Sequence, residues 1–408
     1  MPDASAPPRA ALSTFELVAM VASLSALNAL AIDVMLPALP DIGRDYQLTA
    51  DNDRQLVITS YVALFGVAQL AYGPLADAFG RRSVLLWALA IFMLGSVLCV
   101  FAPTFELLLA ARALQGVGAA ATRVIAVAVV RDLTEGRRMA QVMSMAMTVF
   151  MVVPIIAPGL GQLLLFVAPW RWIFAALFIY AVIVAIWAFV RLPETLAPEN
   201  RRAFAPGAIV SGYAMVLRDR LMLGYMAAST FLTACLFGYI TCSEQIFVDV
   251  FELGPAFPLA FAAIAIAISI GTFSNSRIVM RFGMRRISNV AMLWFCGVAV
   301  IHALIAWAFG DGFWQFMALM ALGFLVFGLM TSNFSALAMT NMGHIAGSAS
   351  ALFGAVTATF GAILGALIAR AFDGTTTPFL IGLTIAAIGI IASVLWTERG
   401  KLALTGGR

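Results

Sequence analysis

The chain has 408 residues, of which 63% are hydrophobic and 11% charged, with a mean hydropathy of +1.00. A soluble domain carries roughly 25% charged residues, so this composition excludes a soluble globular protein and makes the bilayer the main solvent. The net charge of +4 is carried by Arg and a single Lys; these are scattered over short loops, which excludes a nucleic-acid-binding surface.

Met1 to Phe15 is polar, contains Pro7, Pro8 and Arg9, and has no short apolar core ahead of a small-residue cleavage site. A removable signal peptide is therefore not expected. A membrane span needs about 20 mostly apolar residues. Such runs are predicted near 16–39, 54–76, 83–102, 104–130, 138–166, 170–191, 220–248, 256–280, 287–309, 312–335, 345–371 and 376–397. An even number of runs puts both termini on one side. Most basic loop residues, from Arg9 through Arg81, Arg82, Arg137, Arg138, Arg201, Arg202, Arg285 and Arg286 to Arg408, fall on that side. The positive-inside rule makes it cytoplasmic.

The longest polar stretch, Pro193 to Asp219, divides the chain near its middle. The predicted organisation is an all-α membrane protein of 12 transmembrane helices: a six-helix bundle over 1–192, a cytoplasmic linker over 193–219 and a second six-helix bundle over 220–408. Weak internal similarity supports a duplication. Gly80, Arg81 and Arg82 after the second run are echoed by Arg281 to Arg286 after the eighth, where Gly283 is followed by Arg285 and Arg286. Pro154, Pro158, Gly159 and Gly161 in the fifth run answer to Gly354, Gly361 and Gly365 in the eleventh. Parallel repeats with a central site between them are a transporter arrangement.

Charges inside apolar runs are costly and face a cavity or a partner. Asp33 lies about 10 Å from the outer end of the first run, and Arg112 about 12 Å from the outer end of the fourth, at 1.5 Å per residue. Both fall at similar depth, so two readings stand: a fixed structural ion pair, or a proton switch in which the carboxyl is charged beside Arg112 in one state and protonated in another. Arg112, Gln115, Ala119 and Arg123 form one helical stripe that faces the interior. Arg123 either holds an anionic substrate group, pairs with Asp33 or Asn28, or is a hydrogen-bonded plug. Thr233, Phe237, Thr241 and Glu244 share a face of the seventh run. Glu244 lines the outer mouth of a cavity if that helix continues to about Val250, and is a solvated end residue if the helix stops there. The prolines and glycines of the fifth run allow a bend or a close helix contact.

Cys99, Cys235, Cys242 and Cys296 all lie in apolar runs without C-x-x-C spacing, which predicts buried thiols and no metal site. With only His302 and His344, no H-E-x-x-H and no phosphate-cradling loop, the sequence offers no catalytic site. A membrane-embedded enzyme or sensor is the reading it supports least.

The string G-P-L-A-D-A-F-G-R-R over Gly73 to Arg82 stands between two spans. As a bare basic loop it sets topology. As a whole string it resembles the loop between helices two and three of the major facilitator superfamily. The segments R-A-L-Q-G-V-G-A-A (112–120), V-P-I-I-A-P-G-L-G (153–161) and W-R-W-I-F (170–174) extend the resemblance to that superfamily, and A-I-D-V-M-L-P-A-L-P-D-I (31–42) with L-P-E-T-L (192–196) narrows it to the Bcr/CflA group of drug:proton antiporters. The match is dense in the first half; the second half follows it in helix count and spacing.

The resemblance implies the major facilitator fold, two pseudo-symmetric bundles of six helices. It implies multidrug efflux driven by the proton gradient without a cofactor, in the bacterial inner membrane. It makes Gly73, Asp77, Gly80, Arg81 and Arg82 an inter-bundle latch and Asp33 and Arg112 the proton-coupling pair. Pro154, Pro158, Gly159 and Gly161 become the antiporter-type signature. The substrate cavity is expected to include Asn28, Asp33, Arg112, Gln115, Arg123, Phe237, Thr241 and Glu244. Its partners are small-molecule substrates, protons and membrane lipid, and it acts as a monomer. Ser25 and Asn28 stand where some exporters of this kind carry a second acid, and Arg123 tilts the cavity towards neutral or anionic compounds. A proton-linked transporter of a metabolite such as an amino acid would use the same architecture.

Overall fold

The computed structural model describes residues 12–197, 199, 201 and 206–402; the terminal segments with Arg9 and Arg408, and Pro198 and Arg202 of the linker, lie outside the described residues. Among the described residues the only regular secondary structure is helical. Twelve spans are long and apolar enough to cross a bilayer: α1 Thr14–Asp45, α2 Asn52–Phe79, α3 Arg81–Phe101, α4 Phe105–Leu133, α5 Gln141–Leu165, α6 Arg171–Arg191, α7 Arg220–Val250, α8 Gly254–Phe282, α9 Met284–Phe309, α10 Phe313–Ala338, α11 Ala346–Arg370 and α12 Thr377–Thr397.

The packing repeats between halves. In the first half α1 packs on α4, α5 and α6, α4 on α2 and α3, and α3 on α6. In the second half α7 packs on α10, α11 and α12, α10 on α8 and α9, and α9 on α12. Each of these pairings of the first six helices thus has its counterpart six helices later. The fold is that of two six-helix bundles, which meet where α2 packs on α11 and α5 on α8. Without a hydrophobic drive between helices in lipid, close approach depends on small residues. Gly66 of α2 supplies it: a Cβ there would lie 2.7 Å from the backbone nitrogen of Thr359 on α11.

The charged string after α2 is not a loop. Helix α2 continues through Gly73, Pro74 and Asp77 to Phe79, and α3 begins at Arg81. Only Gly80 separates them, with φ 94° and ψ 149°. Gly283 turns the chain from α8 to α9 in the same way, with φ 77° and ψ 150°. Such backbone is accessible at little cost only to glycine, and its recurrence at equivalent places makes the duplication a matter of conformation as well as sequence.

Three further departures from the predicted elements have local causes. Span α1 runs to Asp45 and not to 39, because its helix Thr14–Asp33 breaks and resumes through a 3₁₀ turn at Leu36–Ala38 and a helix at Leu39–Asp45. Pro37 and Pro40 stand in the first turns of those two pieces, where a missing N–H is tolerated. Span α7 is α-helical to Glu244 and then widens into a π-turn over Gln245–Val250. The linker contains a helix, Pro206–Val216, too short to span a bilayer. Helix α5 carries Pro154 and Pro158 internally and remains one helix.

Candidate functional site

The break in α1 is where the buried polar chemistry gathers. Arg112 of α4 is fully enclosed. Its guanidinium donates to the carbonyls of Ala31 (2.9 Å) and Val57 (3.1 Å) and to Gln115 Oε1 (2.6 Å). It also lies 4.4 Å from the Tyr61 ring centroid, a cation–π contact. Gln115 passes the network on to Ser96 Oγ at 2.7 Å, and the Tyr61 hydroxyl donates to Asn28 Oδ1 at 2.9 Å. Four helices are joined by this cluster. Arg112 makes no ion pair with Asp33: it holds the backbone of α1 two residues before it. Equal depth in the sequence did not bring the two side chains together, because depth leaves the direction around each helix undetermined.

Asp33 is the last residue of the first α1 helix and is 4% exposed. Its Oδ1 has no hydrogen-bond partner among the described residues. The 3₁₀ turn that follows packs on α7, and Tyr239 of α7 lies close enough to interact with the Asp33 charge. The buried Tyr239 hydroxyl is likewise without a hydrogen-bond partner there. Gly161 of α5 seats directly on the Val34 carbonyl, with Pro37 beside it, so the signature in α5 braces the break. Gly159, by contrast, has open space where a Cβ would point.

The other predicted cavity residues divide by exposure. Asn28 and Phe237 are partly accessible, while Gln115, Thr241 and Glu244 are enclosed. The Thr241 hydroxyl turns back to the Phe237 carbonyl. Arg123 is accessible yet set deep among protein atoms. Taken together, accessibility and depth describe a side chain in an internal space.

Glu244 is not a solvated helix end: it is enclosed where α7 passes into the π-turn. Its Oε2 lies 3.1 Å from Arg54 of α2, and Arg54 also reaches Asp249 Oδ2 at 2.6 Å. The neighbours of Arg54 dock with it. Gln55 donates to Gln245, and Asn52 accepts from Gln245 at 2.8 Å while donating to the carbonyls of Arg370 (3.1 Å) and Phe372 (3.0 Å). Asp53 lies 3.8 Å from Arg370. Four consecutive residues, from a 3₁₀ turn at the start of α2, thus fasten the first half to α7 and α11 of the second. The sequence signal was the polar string N-D-R-Q, which straddles the start of the predicted run near 54–76 and says nothing of its partners.

At the opposite end, the string from Gly73 to Arg82 ties helices of one half together. Arg81 pairs with Asp77 (2.5 Å) and with Asp132 at the end of α4 (3.2 Å), and its backbone N–H donates to Glu194 after α6 (2.7 Å). Arg82 donates to the Phe189 carbonyl at 2.5 Å. Glu398, after α12, plays the part of Glu194 in the second half, accepting from Tyr225 at 2.6 Å and pairing with Arg285 at 3.3 Å. The ion pairs described at this end each stay within one half, whereas those of Arg54 and Arg370 join the halves. The molecule is therefore fastened at the Arg54 end.

Among the described residues no three His, Cys, Asp or Glu side chains are grouped to hold a metal ion. The four cysteines are free, with Cys99, Cys235 and Cys242 buried.

Two bundles of six spans, a broken helix at their interface and a fastened end define a multi-pass membrane transporter of small molecules. The profile of the Major Facilitator Superfamily matches residues 21–358, and the chain belongs to that family. It is 33% identical over 362 residues to the "Uncharacterized MFS-type transporter YdgK" of Bacillus subtilis (strain 168), covering 86% of this chain and 87% of that one. It is 27% identical over 400 residues to the "Bicyclomycin resistance protein homolog" of Haemophilus influenzae, covering 95% and 97%. It is 29% identical over 225 residues to "Multidrug resistance protein MdtL" of Escherichia coli O9:H4 (strain HS), covering 55% and 56%. The crystal structure of the human organic anion transporter MFSD10 (TETRAN) has the same fold, with a TM-score of 0.68 at 17% identity, over 96% of this chain and 100% of that one.

Proposed function

We propose that the protein is a Bcr/CflA-type drug:proton antiporter that exports small amphipathic toxic compounds by alternating access. It acts as a monomer in the bacterial inner membrane, with both termini and the Gly80 end in the cytoplasm and the Arg54 end outside. The observation that carries this reading is Asp33, a buried carboxyl whose Oδ1 has no hydrogen-bond partner among the described residues, at the break of α1 beside the interface between the bundles. An unpaired buried carboxylate is costly, so a proton bound there stabilises one conformation and its loss another. The names of the Haemophilus influenzae and Escherichia coli relatives favour drugs as the cargo. In this reading Arg112 positions Asp33 through the Ala31 carbonyl, and Asn28, Phe237 and Arg123 contact substrate. The Asp77–Arg81 latch acts between the bundles in the opposite, outward-open state.

A membrane potential supplies about 2.3 kcal/mol per charge per 100 mV, and a pH gradient about 1.4 kcal/mol per unit; no cofactor is required. The test is a growth-inhibition panel of toxic compounds in a pump-deficient host, with proteoliposome transport under an imposed pH gradient. Export that ignores both gradients, or that persists in full with Asp33→Asn, overturns the coupling.

One observation favours a second reading. Arg123 in an internal space suits an anionic group, as in a metabolite carrier for amino acids. Uptake of a nutrient on overexpression, with no change in tolerance to toxic compounds, would select it.

A further inference from the structure

We propose that Arg277, Arg281 and Arg286, at the turn from α8 to α9, form a binding site for the phosphate headgroup of an anionic phospholipid. The inference goes beyond the transport reading and does not depend on what the protein carries.

Gly80 and Gly283 turn the chain alike, but the charges around them differ. In the first half Arg81 is matched by Asp77, three residues before its glycine, and by Asp132 at the end of α4. In the second half Met280 stands three residues before Gly283, and α10 contains no Asp or Glu. Glu398, the acid that reaches this turn, is taken by Arg285 at 3.3 Å and by Tyr225. Arg277, Arg281 and Arg286 have no ion-pair partner among the described residues. Arg277 lies over the Phe273 ring at 4.7 Å, and Arg281 and Arg286 lie over Phe282 at 5.2 Å and 5.6 Å. A ring face attracts a cation without neutralising it, so three positive charges remain uncompensated at one turn.

The turn also faces the bilayer. On α8 a Cβ at Gly271 would strike the Leu325 carbonyl of α10, and Asn275 donates to Asn333 of α10 at 3.2 Å. Ile266, Ile270 and Phe273, followed by Arg277 and Arg281, recur at helical spacing on the opposite, exposed face. The apolar part of this stripe suits acyl chains, and its arginines come at the end of the span, where headgroups lie. Met280, in the place that Asp77 holds in the first half, is 90% exposed and adds apolar surface beside them. Basic clusters at the ends of spans recognise anionic headgroups. A phosphate there accepts from planar guanidinium forks, two bonds at a time, and relieves the repulsion among the three cations. A soluble phosphate offers the same oxygens, but the apolar stripe that leads to them commits the site to a lipid.

The test titrates the full chain, in a neutral detergent, with phosphatidylglycerol, phosphatidylcholine or inorganic phosphate. Native mass spectrometry counts bound lipid, and thermal unfolding follows stability. The wild type is expected to retain phosphatidylglycerol in preference to phosphatidylcholine and to melt higher with it, since a ligand of the folded state stabilises that state. Arg281→Gln combined with Arg286→Gln should weaken phosphatidylglycerol binding about thirtyfold, from roughly fivefold for each arginine near a membrane surface. Arg131→Gln combined with Arg218→Gln removes the same charge from exposed positions elsewhere at this end, and should leave the affinity within about twofold of wild type. Arg277→Gln alone, with an expected loss of about fivefold, answers if the double variant misfolds. Equal retention of the two lipids, equal losses in the two double variants, or undiminished affinity in a folded site variant overturns the inference. So does a rise in melting temperature that inorganic phosphate alone reproduces. Transport assays of Asp33→Asn bear on the antiport reading alone and leave this lipid readout in place.

Discussion

Arg112 holds the carbonyl of Ala31 at 2.9 Å. The contact makes an intramembrane cation a backbone anchor: it supplies a donor to a carbonyl in the last turn of a helix that stops at Asp33. Arg112→Lys keeps the charge and loses the planar fork that serves two carbonyls and an amide together. Each buried acceptor left unpaired costs about 1–3 kcal/mol. The variant is expected to melt several degrees lower in detergent, while residual transport keeps its pH dependence. A variant of unchanged melting temperature with pH-independent transport would instead make Arg112 a direct member of the proton step.

Gly80 and Gly283 share a backbone conformation but not surroundings. A Cβ at Gly80 would collide with the Glu194 carboxylate, whereas one at Gly283 meets nothing within 4 Å. Alanine at either position carries the strain of a positive-φ, extended backbone that is essentially glycine-only, about 1–3 kcal/mol. Only Gly80→Ala also displaces the acceptor of the Arg81 N–H. Thermal unfolding of the two variants should rank Gly80→Ala clearly below Gly283→Ala. Equal losses would mean that the Glu194 contact contributes nothing.

Gly66 meets Thr359 where the two bundles touch. Gly66→Val inserts a branched side chain at a place with no room for a single methyl. Each bundle is expected to remain folded, with the contact between α2 and α11 forced apart. Cross-linking between cysteines introduced on these two helices should fall severalfold in yield while monodispersity on gel filtration is kept. Undiminished cross-linking would show that the helices yield at no cost.

Of the pairs joining the bundles, Asp53 with Arg370 is the most exposed, with side chains 33% and 68% accessible at 3.8 Å. Exposed pairs contribute about 0–1 kcal/mol. Arg370→Gln should leave the closed Arg54 end populated within about threefold of wild type in a distance measurement. A larger change would move the main fastening from Arg54 to Arg370.

The helices were legible in the sequence because hydropathy at bilayer length is a strong signal: all twelve predicted runs correspond to spans, whereas the break of α1 after Asp33 and the single-residue turn at Gly80 were not foreseen. What hydropathy cannot carry is rotation about each helix. Asp33 and Arg112 were placed at matching depth yet are turned apart, and Gln115 proved to be Arg112's acceptor. The fastening of Asn52 to Gln55 lay at the margin of the second run, where hydropathy carries no pairing signal, with partners some 190 to 320 residues away. The linker helix was missed because Pro206–Val216 is apolar but short, and short apolar runs do not declare their structure.

That linker helix touches one span of each bundle. The Tyr213 hydroxyl donates to the Leu70 carbonyl of α2 at 3.0 Å, and Gly212 lies against Ser348 of α11. A rod bonded to one door leaf and resting on the other works as a door chain. Parting α2 from α11 at this end must carry the linker helix along or break the Tyr213 bond, so the stretch that joins the bundles in sequence also ties their separation to its own length.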